Sequence, residues 1–155
     1  MTQDSFIKLN GIHGNSQDER HKGAIDMLWW RWGVHNSSKN GHCGRFTVND
    51  LVFDHYTDTA SPALLRYCAS GKHLSEAVIT LRKPGNPPLE YIRIVLQDII
   101  ITRVHTVCYN TMRAPREKVG LSFSQFRLDY RLHNSADLAA GTASMGYDIK
   151  TRQMV

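Results

Sequence analysis

The sequence predicts a mainly β protein, either a sandwich or a barrel of short antiparallel strands, with one short α-helix. Most segments alternate apolar and polar residues with a period of two, which is typical of strands with one buried face. Residues typical of turns separate these segments. Only the window 62–70 has the spacing and boundary residues of a helix. Because 155 residues can bury one substantial core, we expect a single domain, 1–155.

Eight segments carry the strand pattern, and they are residues 5–12, 24–33, 45–56, 76–83, 90–97, 98–107, 117–131 and 146–150. Two of them change phase partway. In 45–56 the apolar positions move from even to odd numbers after Val48, and in 117–131 they move from odd to even after Phe123. One extra residue in a strand would restore the buried face after each change, so we expect a β-bulge in both segments.

The helix is predicted from its ends. Ser61 can cap the start, Pro62 fits the first turn, and Gly71 suits a left-handed stop. One stripe of the helix is apolar and should face the core, and it consists of Leu64, Tyr67 and Cys68.

Four stretches are predicted as turns or loops, namely 13–23, 34–44, 83–88 and 108–116. The stretch 34–44 is long for a connection between two strands. Long loops in compact domains are often functional, so we expect 34–44 to be an arm that contacts a partner.

Composition excludes several classes of protein. No apolar run approaches the roughly 20 residues of a membrane span, so membrane insertion is not expected. The first residues carry no basic segment followed by an apolar core, so no secretory signal is expected. Three cysteines without a C-x-x-C pair indicate reduced thiols. The formal charge of +5 is spread over single basic residues, which does not indicate a nucleic-acid block.

The sequence carries no known catalytic or cofactor signature. Its eight histidines are dispersed, without the spacing of a metal site. Phosphate-loop, dinucleotide and nucleophile-elbow motifs are missing. We therefore expect neither an enzyme nor a cofactor. The alternative is a monomeric nucleic-acid-binding β-barrel that uses Trp29 and Arg31 as its platform, since such barrels present aromatic and basic residues together.

Several collinear stretches carry a family resemblance, and they are "FIKLNGIHGNS", "HKGAIDMLWWRWGV", "FTVNDLVFDHYTDTASPALLRYCASGKHLSEAVITLRKPG", "YIRIVLQDIII" and "EKVGLSFSQFRLDY". Together they resemble Hcp, the hemolysin-coregulated protein family of bacterial type VI secretion, from residue 5 to about 131. The resemblance implies a β-barrel of two curved sheets with one flanking helix. It also implies six-membered rings that stack into a tube, which a contractile sheath propels, a VgrG spike tips, and small effectors occupy.

The resemblance also implies where the protein acts. A tube subunit is built in the bacterial cytoplasm and leaves in one step when the machine fires, without a signal peptide. Its expected partners are copies of itself, the spike, the sheath proteins and small effectors, with no membrane insertion and no specific nucleic acid.

The stretch 24–33 contains three tryptophans, and alternation assigns them to two faces. One face should fill the core and consists of Leu28, Trp30 and Trp32. The other face consists of Met27, Trp29 and Arg31. We expect Trp29 and Arg31 to line the channel and bind cargo, because an indole gives adaptable apolar contact and a guanidinium pairs carboxylates. The alternative is that Trp29 packs against a neighbouring subunit or strand.

The polar arm supplies a second candidate site. If it contacts the next ring, it forms a ring-stacking loop that consists of His35, Asn36, Ser37, Ser38, Lys39 and Asn40.

Overall fold

The computed structural model of the chain describes residues 4–133 and 139–155, so residues 1–3 and 134–138 of the predicted domain lie outside the described residues. The elements in chain order are β1 (Asp4–Leu9), β2 (Ile25–Asp26), β3 (Trp29–Arg31), β4 (Val34–Asn36), β5 (Phe46–Val48), β6 (Leu51–Tyr56), α1 (Ser61–Ser70), β7 (Leu74–Lys83), β8 (Leu89–Val107), β9 (Arg116–His133), β10 (Ala139–Asp148) and β11 (Gln153–Met154).

Strands β8 and β9 are long enough to belong to two layers. One layer has the order β11-β10-β9-β8-β7-β1-β2, and the other is β3-β6-β9-β8, which uses the opposite halves of β8 and β9. Every pairing is antiparallel. Both layers fill one core, in which Ile7 of β1 and Phe53 of β6 are fully buried. The predicted fold class is confirmed, although no strand pair among the described residues closes the sheet by hydrogen bonds.

The two long strands are interrupted at the same level. Asp98 in β8 has a φ of 57° and lies opposite Ser124 in β9, and the register is the same on both sides of this unpaired position. Because β8 and β9 are both unpaired at this level, the two strands bend there. The buried apolar residues of β9 therefore change from odd to even numbers after Phe123. The bulge predicted in 117–131 is therefore wrong, and the extra residue lies in β8, at Thr102.

The predicted strand 45–56 is two strands in different sheets. Strand β5 pairs with β4 in a separate two-stranded sheet, whereas β6 pairs with β3 and β9. Asn49 and Asp50 lie between them, so the second predicted bulge is in fact a change of sheet. Five consecutive residues of β6, Leu51 to His55, are buried: three face the core, and neighbouring side chains on the outward face cover Val52 and Asp54.

The predicted strand 24–33 also divides, into β2 and β3. The backbone N–H of Met27 donates to β1 at 2.9 Å, and that of Leu28 donates to β6 at 2.7 Å, so the chain crosses between layers here. Trp30 and Trp32 pack against the core, as predicted. The prediction for Leu28 is wrong, since 42% of it is exposed, and Met27 is buried in its place.

Helix α1 starts differently from the prediction. Its N-cap residue is Ala60, and no side chain caps the helix there. The Ser61 hydroxyl instead donates to Glu117 Oε1 at 3.1 Å, and Asp58 Oδ1 accepts the Ala60 N–H at 2.8 Å. Capping by Ser61 is therefore wrong, because its side chain turns into the protein. Pro62 does occupy the first turn.

The end and the face of the helix agree with the prediction. Gly71 has a φ of 66° and donates its N–H to the carbonyl of Tyr67 at 3.0 Å, which closes the helix in the left-handed conformation. Leu64 is fully buried, and Tyr67 and Cys68 pack against the core. The three cysteines form no disulfide. In the part of the chain that the structure describes, no helix is long and apolar enough to cross a membrane.

Candidate functional site

The outward face of the layer β3-β6-β9-β8 carries one row of side chains across four strands. Trp29 pairs in register with Asp54, Asp54 with Lys118, and Lys118 with His105. Directly opposed residues of antiparallel strands point to the same side of a sheet. The four side chains therefore lie side by side on the surface opposite the core.

This row lines a pocket of about 350 Å³. The ammonium of Lys118 lies 5.4 Å from the centre of the Trp29 ring, within the range of a cation–π contact. Arg116 Nη2 donates to Asp54 Oδ2 at 2.6 Å, which neutralises the one carboxylate in the lining. The remaining wall is apolar or aromatic and consists of Val107, Tyr109 and Met112. The pocket thus combines an indole, cationic groups and apolar side chains, and we call it the Trp29 pocket.

Arg31 lies on the same face as Trp29, two residues along β3, but it lines a different recess. That recess of about 370 Å³ also includes Trp32, Asn49 and Asp50. The structure therefore places the two predicted cargo residues on one face, in neighbouring depressions. The Arg31 side chain is exposed and has no ion-pair partner among the described residues.

The predicted ring-stacking loop is a β-hairpin. Strands β4 and β5 form a two-stranded sheet, and the arm closes where Lys39 and His42 exchange two backbone hydrogen bonds of 3.2 and 3.0 Å. Asn40 and Gly41 between them have φ of 53° and 79°, the conformation of a tight hairpin turn. All six predicted residues are exposed. The expectation of an irregular loop is wrong, because the Asn-Gly pair supplies the turn.

Side chains inside the arm hold the hairpin together. Asn36 Oδ1 accepts the N–H of Gly44 at 3.1 Å, and Ser37 Oγ accepts the N–H of Arg45 at 2.8 Å. A side chain at Gly44 would collide with the backbone of Ser37. Two members of the predicted set thus stabilise the hairpin, and the others are free to make contacts.

One cluster of reactive side chain types lies inside the protein. His55 Nε2 is 2.8 Å from Glu117 Oε1, and this same oxygen accepts the Ser61 hydroxyl. His55 and Glu117 are each 1% exposed, and His55 Nδ1 has no hydrogen-bond partner but lies 4.0 Å from Asp58 Oδ1. Because the serine donates to the glutamate and not to the histidine, this is not the arrangement that activates a nucleophile. The cluster ties the start of α1 to β6 and β9.

Hydrogen bonds from cationic side chains are the largest cause of the depressed pKa values of Asp18 and Asp98, whereas the Ser144 hydroxyl is the largest cause for Asp129. Arg82 Nη2 lies 2.7 Å from Asp18 and 2.8 Å from Asp4, and its hydrogen bond lowers the pKa of Asp18 from 3.8 to about 2. This contact fixes the loop 13–23 onto β7. Hydrogen bonds from Lys150 and then His73 lower the pKa of Asp98 to about 2 at the bend of β8. No group of three or more metal-ligating side chains occurs in the described ranges 4–133 and 139–155.

Sequence reasoning missed three members of the outward row, which are Asp54, Lys118 and His105. Each occupies a polar position in an alternating segment, as a solvated strand residue also would. Only the register of four strands brings them next to Trp29. The local sequence offers a signal only for Asp54, which is a charged residue inside the otherwise apolar run of the strand "LVFDHY".

These elements define a two-layer antiparallel β protein with one helix, a separate two-stranded hairpin and an aromatic, cationic outer face. The family profile described as "Type VI secretion system effector, Hcp" matches residues 6–130 of the chain. The chain therefore belongs to the Hcp family of type VI secretion proteins.

Individual relatives are similar over their whole length. "Protein hcp1" of Pseudomonas aeruginosa is 35% identical over 161 aligned residues, which cover 100% of this chain and 99% of that protein. The crystal structure of Hcp1 from Salmonella typhimurium is 40% identical with a TM-score of 0.86 and covers 100% of both chains. The crystal structure of a type VI secretion system effector from Yersinia pestis is 40% identical with a TM-score of 0.79, and it covers 94% of this chain and 99% of its own.

Proposed function

We propose that the chain is a structural subunit of the inner tube of a type VI secretion system. Six copies form a ring, and rings stack into a tube that a contractile sheath propels behind a VgrG spike. Small effectors travel in the lumen. The subunit is made in the bacterial cytoplasm, is secreted when the system fires, and catalyses no reaction. Membership of the Hcp family, with a match over residues 6–130, is the observation that carries this proposal.

An exposed apolar strip supports self-assembly. Beyond the bend, β9 and β10 continue past the core, and Tyr130, Leu132 and Met145 point to one side with 38%, 47% and 37% of each residue exposed. Contiguous exposed apolar residues are typical of a protein interface. A ring requires two different patches that meet head to tail and close, and this strip is one such patch.

The test of the proposal is the mass of the purified protein in solution. Light scattering during size exclusion should give six times the chain mass of 17.6 kDa. Leu132→Asp should reduce the ring to single chains. The matched control is Leu65→Asp on α1, a leucine of similar exposure (53% against 47% for Leu132) that should leave the ring intact. A wild-type mass of 17.6 kDa, together with oligonucleotide binding that weakens steeply with salt, would favour the monomeric nucleic-acid-binding barrel instead.

In this proposal Trp29 and Arg31 face the lumen and contact cargo. Both lie on the outward face of β3, and Trp29 is only partly buried within one chain. Replacing both with alanine should leave the ring intact and change which effectors it retains. Unchanged retention of every cargo would favour packing of Trp29 against a neighbouring subunit.

The hairpin, with His35, Asn36, Ser37, Ser38, Lys39 and Asn40, is proposed to contact the next ring. It forms its own two-stranded sheet outside the main sheet. Shortening the arm should shorten or abolish tubes in electron micrographs while single rings persist. Tubes of normal length after that change would exclude this role.

A further inference from the structure

We propose that the Trp29 pocket binds carboxylate groups, so that the cargo of this tube is recognised through acidic polypeptide segments. This inference rests on the proposed function, because it assigns the ligand class of the face that the tube would turn toward its cargo.

The charges on this face are unbalanced. Lys118 has no carboxylate within ion-pair distance anywhere in the described residues, and its neighbour His105 adds no negative charge, whereas the ion pair of Asp54 goes to Arg116. Among the described residues the pocket has one carboxylate, which is already paired, so the ammonium of Lys118, which contacts the Trp29 ring but no carboxylate, attracts an anion. The structure therefore offers an acceptor site for a carboxylate next to an indole.

The neighbouring row extends the positive charge. Arg31 pairs in register with Val52, Val52 with Gly120, and Gly120 with Arg103. Both arginines are exposed and lack ion-pair partners among the described residues. Gly120 has no side chain, and a Cβ there would come within 2.9 Å of Thr102 Oγ1. Thr102 and Arg103 thus fill the space above Gly120, and the row adds these two arginines beside the Trp29 pocket.

The shape of the pocket favours a polypeptide over a nucleic acid. A volume of about 350 Å³ accepts one or two side chains, and its walls combine Val107 and Met112 with the cationic groups. An acidic side chain with an apolar neighbour fits this mixture. Base stacking requires a free aromatic face, and one face of the Trp29 ring already contacts the ammonium of Lys118, 5.4 Å from the ring centre.

The proposal can be tested with dye-labelled peptides and the intact protein. The probe is a hexapeptide of alternating leucine and glutamate with blocked ends, and its counterpart carries glutamine in place of glutamate. Fluorescence anisotropy should show binding of the glutamate peptide and weaker binding of the glutamine peptide. Lys118→Gln should weaken binding of the glutamate peptide about tenfold, as expected for a hydrogen bond to a charged group, and should not change binding of the glutamine peptide.

The matched control is Lys72→Gln. Lys72 also lies over an aromatic ring, that of Tyr67 at 6.0 Å, but at the end of α1 and outside the pocket. The Lys72→Gln variant should bind the glutamate peptide with the same affinity as the wild type. Equal losses for the two variants, equal affinity for both peptides, or no binding of the glutamate peptide to the wild type would each overturn the proposal. Tighter, Lys118-dependent binding of a labelled hexathymidylate would overturn it in favour of nucleic acid.

Measuring the mass of each sample together with peptide binding tests the carboxylate site and the proposed tube function independently. A ring that binds both peptides equally would reject the carboxylate site and leave the tube subunit standing. A single chain of 17.6 kDa that still shows Lys118-dependent binding would reject the tube subunit and leave the site standing.

Discussion

The two faces of the layer β3-β6-β9-β8 carry different kinds of side chain, although the rows on the two faces are only one residue apart along each strand. The inward row consists of Trp30, Phe53, Val119 and Val104, and the outward row consists of Trp29, Asp54, Lys118 and His105. The inward row belongs to the apolar core or packs against it. The outward row has an ion pair, a cation–π contact and an open pocket. The first face stabilises the fold, and the second is available to partners.

The largest difference between the two faces should be the loss of stability when an aromatic residue of each face is replaced by alanine. Phe53→Ala removes a fully buried ring and should lower the free energy of unfolding by about 3–5 kcal/mol, through lost burial and an unfilled cavity. Trp29→Ala on the outward face should change it by less than about 1 kcal/mol in a single chain. Urea denaturation at matched protein concentration measures both, since assembly itself raises stability. Comparable losses would mean that the outward indole is a core residue.

A second test compares two neighbours in β9 that face opposite ways. Glu117→Ala leaves His55 and the Ser61 hydroxyl without their buried acceptor, and it should cost about 2–4 kcal/mol. Lys118→Ala loses only a half-buried contact to Trp29 and should cost less than about 1 kcal/mol. Chemical denaturation of the two variants gives the contrast directly. A Glu117→Ala variant as stable as Lys118→Ala would show that the buried cluster does not stabilise the start of α1.

The ion pair of Arg82 with Asp18 is a polar contact that, unlike the contacts of the outward row, should contribute measurably to the free energy of unfolding. The folded pKa of Asp18, about 2, lies below its ordinary value of 3.8, so its contribution is present above pH 3.8 and is lost as the pH falls toward 2. The loss should be about 1–2 kcal/mol. Denaturation midpoints across this pH range measure it.

The control for the pH test is Asp18→Asn, which cannot titrate. It should be less stable than the wild type above pH 3.8, and the difference between the two should shrink as the pH falls. A constant difference down to pH 2 would contradict a stabilising ion pair with Arg82.

The smallest effect on global stability is expected in the hairpin, which lies outside the main sheet. Gly44→Ala forces a side chain against the Ser37 backbone and should open the arm locally, with less than about 1 kcal/mol of global destabilisation. Hydrogen exchange should quicken at the N–H groups of Ser37 and Arg45 and stay unchanged in β6. The exposed change Ser38→Ala is the control. Faster exchange in β6 would show that the hairpin and the core open together.

Alternation along the strands predicted much of this contrast. It placed Trp30 and Trp32 inward and Trp29 and Arg31 outward, because the period of two is a property of any extended segment. It failed at Leu28, where the chain crosses from one layer to the other and the pattern restarts.

Other features depend on contacts that no local pattern contains. The phase change after Phe123 comes from a bend that β9 shares with β8 at Asp98, and the sequence alone cannot distinguish this from an extra residue. The hairpin had a readable signal in Asn40-Gly41, but the long polar stretch around it favoured a loop. Lys118 and His105 reach Trp29 only through the register of four strands.

We propose that copies of the chain complete the surfaces that one chain leaves exposed. Native mass spectrometry of the purified wild-type protein tests it most directly, because it counts subunits without a shape assumption. The spectrum should show a complex of six chains of 17.6 kDa each, which Leu132→Asp disperses and Leu65→Asp does not. A single chain of 17.6 kDa at every concentration would contradict it.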